Sequence, residues 1–138
     1  MIAYVDSSVL LRLVLGQPGF LREWATIERG IASGLVEVEC LRTLDRLHIG
    51  GHLDSRETAE RSEAVFRVLD ELEIIGVTPA VLHRAAQPLT VTLGSLDAIH
   101  FASASLWREV NDVELLVATH DAELAMAARA SGFLVAGA

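Results

Sequence analysis

Four acidic residues stand where an apolar run ends or a helix begins, and each could serve metal or acid–base chemistry. They are Asp6 in AYVDSSVL, Glu39 in LVEVECLR, Asp97 in GSLDAIHFASA and Asp121 in LLVATHDAEL. Asp6 and Asp121 each follow a short apolar run that is typical of a buried parallel strand. Ligands of open α/β sheets bind at the carboxyl ends of the strands. Acidic side chains gathered there are either helix caps or ligands of a hard metal ion.

Asp6 and Asp121 both fit the capping interpretation as well. Asp6 is followed by Ser7 and Ser8, and Asp and Ser are both favoured N-caps. Three such residues in a row exceed what one helix needs, so their position favours a functional Asp6. Asp121 is preceded by Thr119, whose hydroxyl could orient a metal-bound water or cap the same helix.

Asp97 and His100 lie three residues apart in a predicted helix. This spacing places them about 60° from one another around the helix axis, so both can face one pocket. The first turn of a helix already favours an acid through the macrodipole. A lone histidine near an apolar face is most often a core residue. A purely structural role therefore stays open for both side chains.

Glu39 falls in the middle of a predicted helix whose apolar residues recur at three-residue steps. These apolar residues are Leu35, Val38, Leu41, Leu44 and Leu47. Glu39 also forms a stripe with Arg42 and Arg46 at positions i, i+3 and i+7. The stripe is either a surface ladder of ion pairs or a catalytic acid flanked by cations that face phosphates.

The four carboxylates together favour a bound cation. Two carboxylates about 5 Å apart repel by roughly 3 kcal/mol at an effective dielectric constant of 20. A cluster of them therefore needs either protonation of some members or a cation between them. Oxygen ligands suit Mg²⁺ or Mn²⁺ better than zinc. No spacing of His and Cys residues in the sequence fits a zinc site.

The elements that must position these residues alternate between strands and helices. The predicted strands are Met1–Val5, Glu73–Val77, Leu115–Ala118 and Phe133–Ala136. The predicted helices run from Asp6 through Leu15, over Phe20–Arg29, Leu35–His48 and Ser55–Leu72, from Pro79 to a stop at Pro88, from a Ser95 cap through Arg108, and over Ala122–Ala130. Strands separated by helices indicate a parallel sheet with crossover helices. We therefore expect one α/β domain over residues 1–138, with three α/β/α layers.

Composition limits the possible functions. A chain of 138 residues with net charge -8 is one domain and lacks the broad basic face of a generic nucleic-acid binder. That charge does not exclude an enzyme whose acidic site is neutralised by metal. The apolar fraction of 51% fits a sheet covered on both faces, or apolar surface kept for a partner. All eleven basic residues are Arg, which can make bidentate phosphate contacts.

The sequence also bears on location and partners. No apolar stretch approaches the roughly 20 residues of a membrane span, and no signal peptide is readable. The single Cys40 cannot form an internal disulfide and fits a small buried hydrophobic residue. We therefore expect a cytoplasmic protein without a membrane partner. Trp24 and Trp107 are either core residues or anchors of a protein interface.

These motifs give the chain a resemblance to the PIN-domain ribonucleases, specifically to VapC-type toxins of type II toxin–antitoxin systems. The resemblance spans nearly the whole chain. It rests on VDSSVLLRL, VEVECLRTLDR, LGSLDAIHFASA and ATHDAELAMAARASGFLV, in that order.

The resemblance implies a catalytic pocket and its partners. The acidic pocket of the family maps onto Asp6, Glu39, Asp97 and Asp121, with Ser8 and Thr119 at its hydroxyl positions, Arg42 completing an ExxR pair and His100 at a position that is often His. It implies Mg²⁺- or Mn²⁺-dependent endoribonuclease hydrolysis of RNA, with metal held by the three aspartates. It also implies a cognate VapB-like antitoxin and a homodimer. Two alternatives are a catalytically weak RNA- or protein-binding module of this fold, and a DNA-directed structure-specific nuclease.

Overall fold

A computed structural model, which describes residues 1–19 and 21–138, contains five strands and six α-helices in that part of the chain. The strands are β1 (Ile2–Val5), β2 (Arg29–Ser33), β3 (Glu73–Ile75), β4 (Leu116–Ala118) and β5 (Leu134–Ala136). The helices are α1 (Ser7–Leu15), α2 (Leu35–Ile49), α3 (Ser55–Asp70), α4 (Pro79–Ala85), α5 (Ser95–Asn111) and α6 (Ala122–Ala130). A short 3₁₀ helix occupies Arg22–Thr26.

The five strands form one parallel sheet in the order β3-β2-β1-β4-β5. The chain builds outward from β1 to β2 and β3, and then crosses to the other side of β1 to add β4 and β5. The strand order therefore reverses between β1 and β4. In open α/β sheets this reversal leaves a crevice at the carboxyl ends of the strands, where ligands bind.

Side chains alternate between the two faces of the sheet and build two cores, as the strand period of two requires. One core contains Val5 of β1 and Ala32 of β2 and is covered by α1, α2 and α3. The other contains Tyr4 of β1 and Ile31 of β2, and α5 and α6 contribute to it. Helices on both faces confirm the predicted three-layer α/β/α fold.

Local sequence sets most helix starts. The Asp54 carboxylate accepts a hydrogen bond from the Glu57 backbone N–H, and the Glu57 side chain accepts one from the Asp54 N–H, so the two residues form a capping box at the start of α3. Thr78 caps α4, with Pro79 in its first turn. At α5 the N-cap is Gly94, which has no side chain to contribute, so the prediction that Ser95 is the cap was wrong.

The helix predicted over Phe20–Arg29 was wrong in the part that the structure describes. Arg22–Thr26 forms a 3₁₀ helix, and Arg29–Ser33 forms β2, which was not predicted. Phe20 lies outside the described residues. The short apolar run of β2 is flanked by Gly30 and Gly34, and it becomes a strand because it pairs with β1 on one side and β3 on the other. Tertiary pairing overrides local preference here.

Both tryptophans contact the core. Trp107 is buried among the residues of the α5 and α6 face and donates its indole N–H to Glu73 at 3.2 Å. Trp24 is partly buried against the opposite core. The packing interpretation of both residues is therefore confirmed. In the part of the chain that the structure describes, no helix is long and apolar enough to cross a membrane.

Candidate active site

Asp6 lies directly after the central strand β1 and is almost completely buried, at 4% exposure. One carboxylate oxygen accepts hydrogen bonds from the Val9 backbone N–H at 3.2 Å and from the Ser8 hydroxyl at 2.6 Å. The other accepts from the Thr119 hydroxyl. Burial raises the pKa of the Asp6 carboxyl, while these hydrogen bonds and the nearby His100 act in the opposite direction. Asp6 is thus a buried acid and the N-cap of α1, which confirms the capping interpretation, while its functional role stays a prediction.

Two hydroxyls connect the end of β1 to the end of β4. Thr119 donates to Asp6 and accepts from the Asp121 backbone N–H at 2.9 Å. Ser8 donates to Asp6 and accepts from the His120 backbone N–H at 2.9 Å. These bonds fix the two strand ends relative to one another at the point where the strand order reverses.

Asp121 and Asp97 bring negative charge to this edge from α6 and α5. The Asp121 carboxylate caps α6 by accepting from the Leu124 N–H at 2.8 Å. Burial raises the pKa of Asp97, and the neighbouring charge of Asp121 raises it further, followed by smaller effects of Asp6 and Glu39. His100 offsets part of this rise. The other three predicted acids therefore lie within electrostatic reach of Asp97.

Glu39 enters the site from α2, with its side chain 20% exposed. Its carboxylate lies 2.6 Å from the Nε2 atom of His100, which is itself only 1% exposed. The three-residue apolar stripe of α2 was a poor guide to its buried face. Val38 is 59% exposed, whereas Val36, Cys40 and Leu44 are buried.

The four carboxylates suit a hard divalent cation in their chemistry. They are oxygen donors. Burial raises the pKa of Asp6, and burial with repulsion from the neighbouring acids raises the pKa of Asp97, which a bound cation would offset. They do not stand ready as a ligand set. Among residues 1–19 and 21–138, no three acidic, His or Cys side chains lie together at metal-ligand spacing. The described residues therefore fit such an ion by donor type and not by their spacing.

A cleft of about 320 Å³ opens beside Glu39 and is lined by Ser7, Val38, Arg42, Thr43, Arg46 and Leu96. Arg42 donates to Asp45 at 2.9 Å, and Arg46 donates to Thr43 at 3.0 Å. Neither arginine pairs with Glu39 in the described part of the chain, so the ion-pair ladder does not form. Both arginines line the cleft together with Glu39.

Tyr4 is the site residue that the sequence analysis missed. It is fully buried, and its hydroxyl lies 2.7 Å from the Nδ1 atom of His100. A signal was present, since a tyrosine in a buried strand needs a hydrogen-bond partner for its hydroxyl. The partner is 96 positions away in sequence and was not identifiable from it.

Known proteins resemble this chain in sequence and in fold. The profile of the PIN domain family matches residues 3–130. The Ribonuclease VapC47 of Mycobacterium tuberculosis is 32% identical over 141 residues, which cover 96% of this chain and 94% of that protein.

Two crystal structures share the fold. VapBC2 from Rickettsia felis, bound to a DNA fragment from their promoter, superposes with a TM-score of 0.68 at 12% identity and covers 98% of this chain and 97% of the other. The sarcin-ricin loop cleaving toxin VapC20 of Mycobacterium tuberculosis superposes with a TM-score of 0.62 at 21% identity, with 97% of each chain covered.

Proposed function

The chain belongs to the PIN domain family, and on that basis we propose that it is a metal-dependent endoribonuclease and the toxin of a toxin–antitoxin pair. The observation that carries this proposal is the convergence of Asp6, Glu39, Asp97 and Asp121 at the reversal of strand order. The name of a relative that is 32% identical, Ribonuclease VapC47, supports RNA as the substrate.

The three aspartates would hold one or more Mg²⁺ or Mn²⁺ ions. A divalent cation bound there lowers the pKa of a water molecule and stabilises charge on a phosphoryl oxygen. Asp6 is held in place by Ser8 and Thr119, so its carboxylate needs little reorganisation. The Asp97 side chain makes no hydrogen bond to any described residue, so it can turn toward a ligand.

Glu39 would serve as a fourth acid, either as a ligand or as the acceptor of a proton from the attacking water. One of its oxygens, Oε1, is taken by His100. The other, Oε2, remains for a water or a metal ion. The products expected from such hydrolysis are a 5′-phosphate and a 3′-hydroxyl.

The cleft beside Glu39 would receive the RNA backbone. Arg42 and Arg46 border it and can contact phosphates flanking the scissile one. Their weak surface bonds to Asp45 and Thr43 are easily exchanged for phosphate contacts. Although the protein carries a net charge of -8, these two arginines would attract RNA phosphates locally, beside Glu39.

We further propose that a cognate VapB-like antitoxin covers this region, that the toxin is a homodimer, and that it acts in the cytoplasm, where its RNA substrate resides. An acidic pocket attracts guanidinium groups, so an antitoxin arginine inserted between the carboxylates would block it. The exposed apolar side chains of Val38 and Leu96 at the mouth of the cleft offer the antitoxin a non-polar contact.

Cleavage of total cellular RNA by the purified protein tests the nuclease. The reaction is run with Mg²⁺ or Mn²⁺ and with a chelator, beside an Asp97→Asn variant purified in the same way to control for contaminating nucleases. Discrete fragments that require metal and are lost in the variant support the proposal. Equal cleavage by the variant contradicts it.

A further inference from the structure

Three buried or half-buried side chains form a continuous line of hydrogen bonds from the core into the acidic site. The Tyr4 hydroxyl lies 2.7 Å from His100 Nδ1, and His100 Nε2 lies 2.6 Å from Glu39 Oε1. The two rings pack edge to face, with their centroids 5.9 Å apart and an interplanar angle of 72°. We call these residues the Tyr4–His100–Glu39 triad.

The direction of both bonds depends on the tautomer of His100, and a phenol that keeps its proton selects one of the tautomers. Burial raises the pKa of Tyr4 well above its ordinary value, and the charges of Asp6 and Glu39 raise it further. Hydrogen bonds with Ser103 and Ser33 offset only part of this rise, so the phenol keeps its proton. A phenol that donates to Nδ1 leaves the imidazole proton on Nε2. That proton is then donated to Glu39, because an ionised carboxylate can only accept. The tautomer with its proton on Nε2 therefore satisfies both contacts.

We propose that Tyr4 and His100 are positioning residues of the site, in which the Tyr4 hydroxyl selects the His100 tautomer that holds Glu39 Oε1 and leaves Oε2 facing the acidic cluster. The proposal rests on the proposed nuclease function only for its effect on cleavage. The geometry of the triad involves only side chains of this chain.

We expect the triad to orient the Glu39 carboxylate, because Glu39 has no other side-chain partner in the described part of the chain. His100 contacts both the ring and the hydroxyl of Tyr4, and both residues are buried in the core. His100 is therefore a rigid support for the Glu39 carboxylate, which is itself partly exposed. Removing the outer partner of an active-site ligand lowers activity by roughly 10- to 100-fold.

Three substitutions separate positioning from packing. Tyr4→Phe removes only the hydroxyl that selects the tautomer. His100→Gln places an amide N–H near the former Nε2 position, whereas His100→Asn places its amide near the former Nδ1 position and cannot reach Glu39. The proposal predicts a roughly tenfold lower kcat for Tyr4→Phe with little change in KM for RNA. It also predicts higher activity for His100→Gln than for His100→Asn.

A matched control addresses stability. Ser105→Ala removes a buried hydroxyl of α5 that forms no hydrogen bond with the triad. It should leave cleavage unchanged even where it lowers the melting temperature. A loss of cleavage in Ser105→Ala equal to that in Tyr4→Phe would reduce the Tyr4 effect to general destabilisation.

Nitrogen NMR of the metal-free protein tests the triad independently of any nuclease activity. With ¹⁵N-labelled histidine, the His100 signals are assigned by their loss in His100→Gln. The proposal predicts a wild-type spectrum with the proton on Nε2 and an Nδ1 signal that moves in Tyr4→Phe. A proton on Nδ1 in the wild type, or an Nδ1 signal unchanged by Tyr4→Phe, overturns the proposal whether or not the protein cleaves RNA.

Discussion

Replacing Asp97 by Asn should stabilise the metal-free protein, because burial and the neighbouring negative charges disfavour the ionised Asp97 side chain in the folded state. Burial and the neighbouring Asp121 raise the pKa of the Asp97 carboxyl in the folded state. The ionised side chain is therefore less favourable in the folded protein than in the unfolded chain. Asparagine keeps the shape and removes the charge.

The magnitude follows from Coulomb's law. Two carboxylates about 6 Å apart repel by roughly 3 kcal/mol at an effective dielectric constant of 20. Asp97 is only partly buried, and solvent and salt reduce this repulsion to about 1 kcal/mol. For a domain of this size, 1 kcal/mol raises the melting temperature by about 3 °C.

The stability gained by Asp97→Asn should increase as the pH rises from about 4 to 7. An unfolded aspartate titrates near pH 3.9, whereas the folded Asp97 keeps its proton to a higher pH. Wild-type stability due to this group is therefore complete below about pH 4 and is lost as the pH rises through the raised folded-state pKa. The advantage of Asp97→Asn should be near zero below pH 4 and largest at neutral pH.

Thermal unfolding in chelator at several pH values measures this effect. Asp70→Asn is the matched control, because it removes the same charge from an exposed position at the end of α3 and should change stability by less than about 0.5 kcal/mol. A melting temperature of Asp97→Asn below that of the wild type at pH 7, or a gain of equal size at pH 4, refutes the reasoning.

Three more predictions follow from single contacts. Thr119→Val removes the hydroxyl that bonds Asp6 and the backbone after β4, so it should cost about 1–3 kcal/mol in urea unfolding and slow cleavage at least tenfold. Arg42→Ala should slow RNA cleavage about tenfold, while Arg56→Ala, on the exposed face of α3, should not; equal rates in both would remove Arg42 from the RNA path. Burial and the neighbouring acids raise the pKa of Cys40 to about 12, so iodoacetamide at pH 8 should modify it only after unfolding, and rapid labelling of the native protein would contradict its burial.

The parts of the fold that follow from local patterns were predictable. The strand–Asp junctions at Asp6 and Asp121 and the Asp54 capping box are encoded in neighbouring residues. The β2 strand was missed because its five residues carry little strand signal and depend on pairing with strands on both sides.

The buried face of α2 was predicted wrongly for a different reason. A three-residue step falls short of the 3.6-residue turn, so the predicted stripe winds around the helix and leaves Val38 in solvent. The buried face follows four-residue steps through Val36, Cys40 and Leu44.

The acidic residues of the site could be predicted from the sequence, but the hydrogen bonds that connect the site residues could not. Each acid has a recognisable position at a strand or helix end, or within a helix. The link from Tyr4 through His100 to Glu39 joins β1, α5 and α2, and depends on how two helices pack around one strand. No pattern within a single segment reports such a contact.

The most direct measurement compares metal occupancy with cleavage in the same samples. Free Mn²⁺ is measured by electron paramagnetic resonance over a titration, and the rate of RNA cleavage is measured at each point for the wild type and Asp97→Asn. The proposed mechanism predicts that occupancy and rate rise together with one midpoint, and that the variant loses both. Cleavage that is already maximal before Mn²⁺ binds, or that persists in Asp97→Asn, would contradict a metal-dependent nuclease built on these four acids.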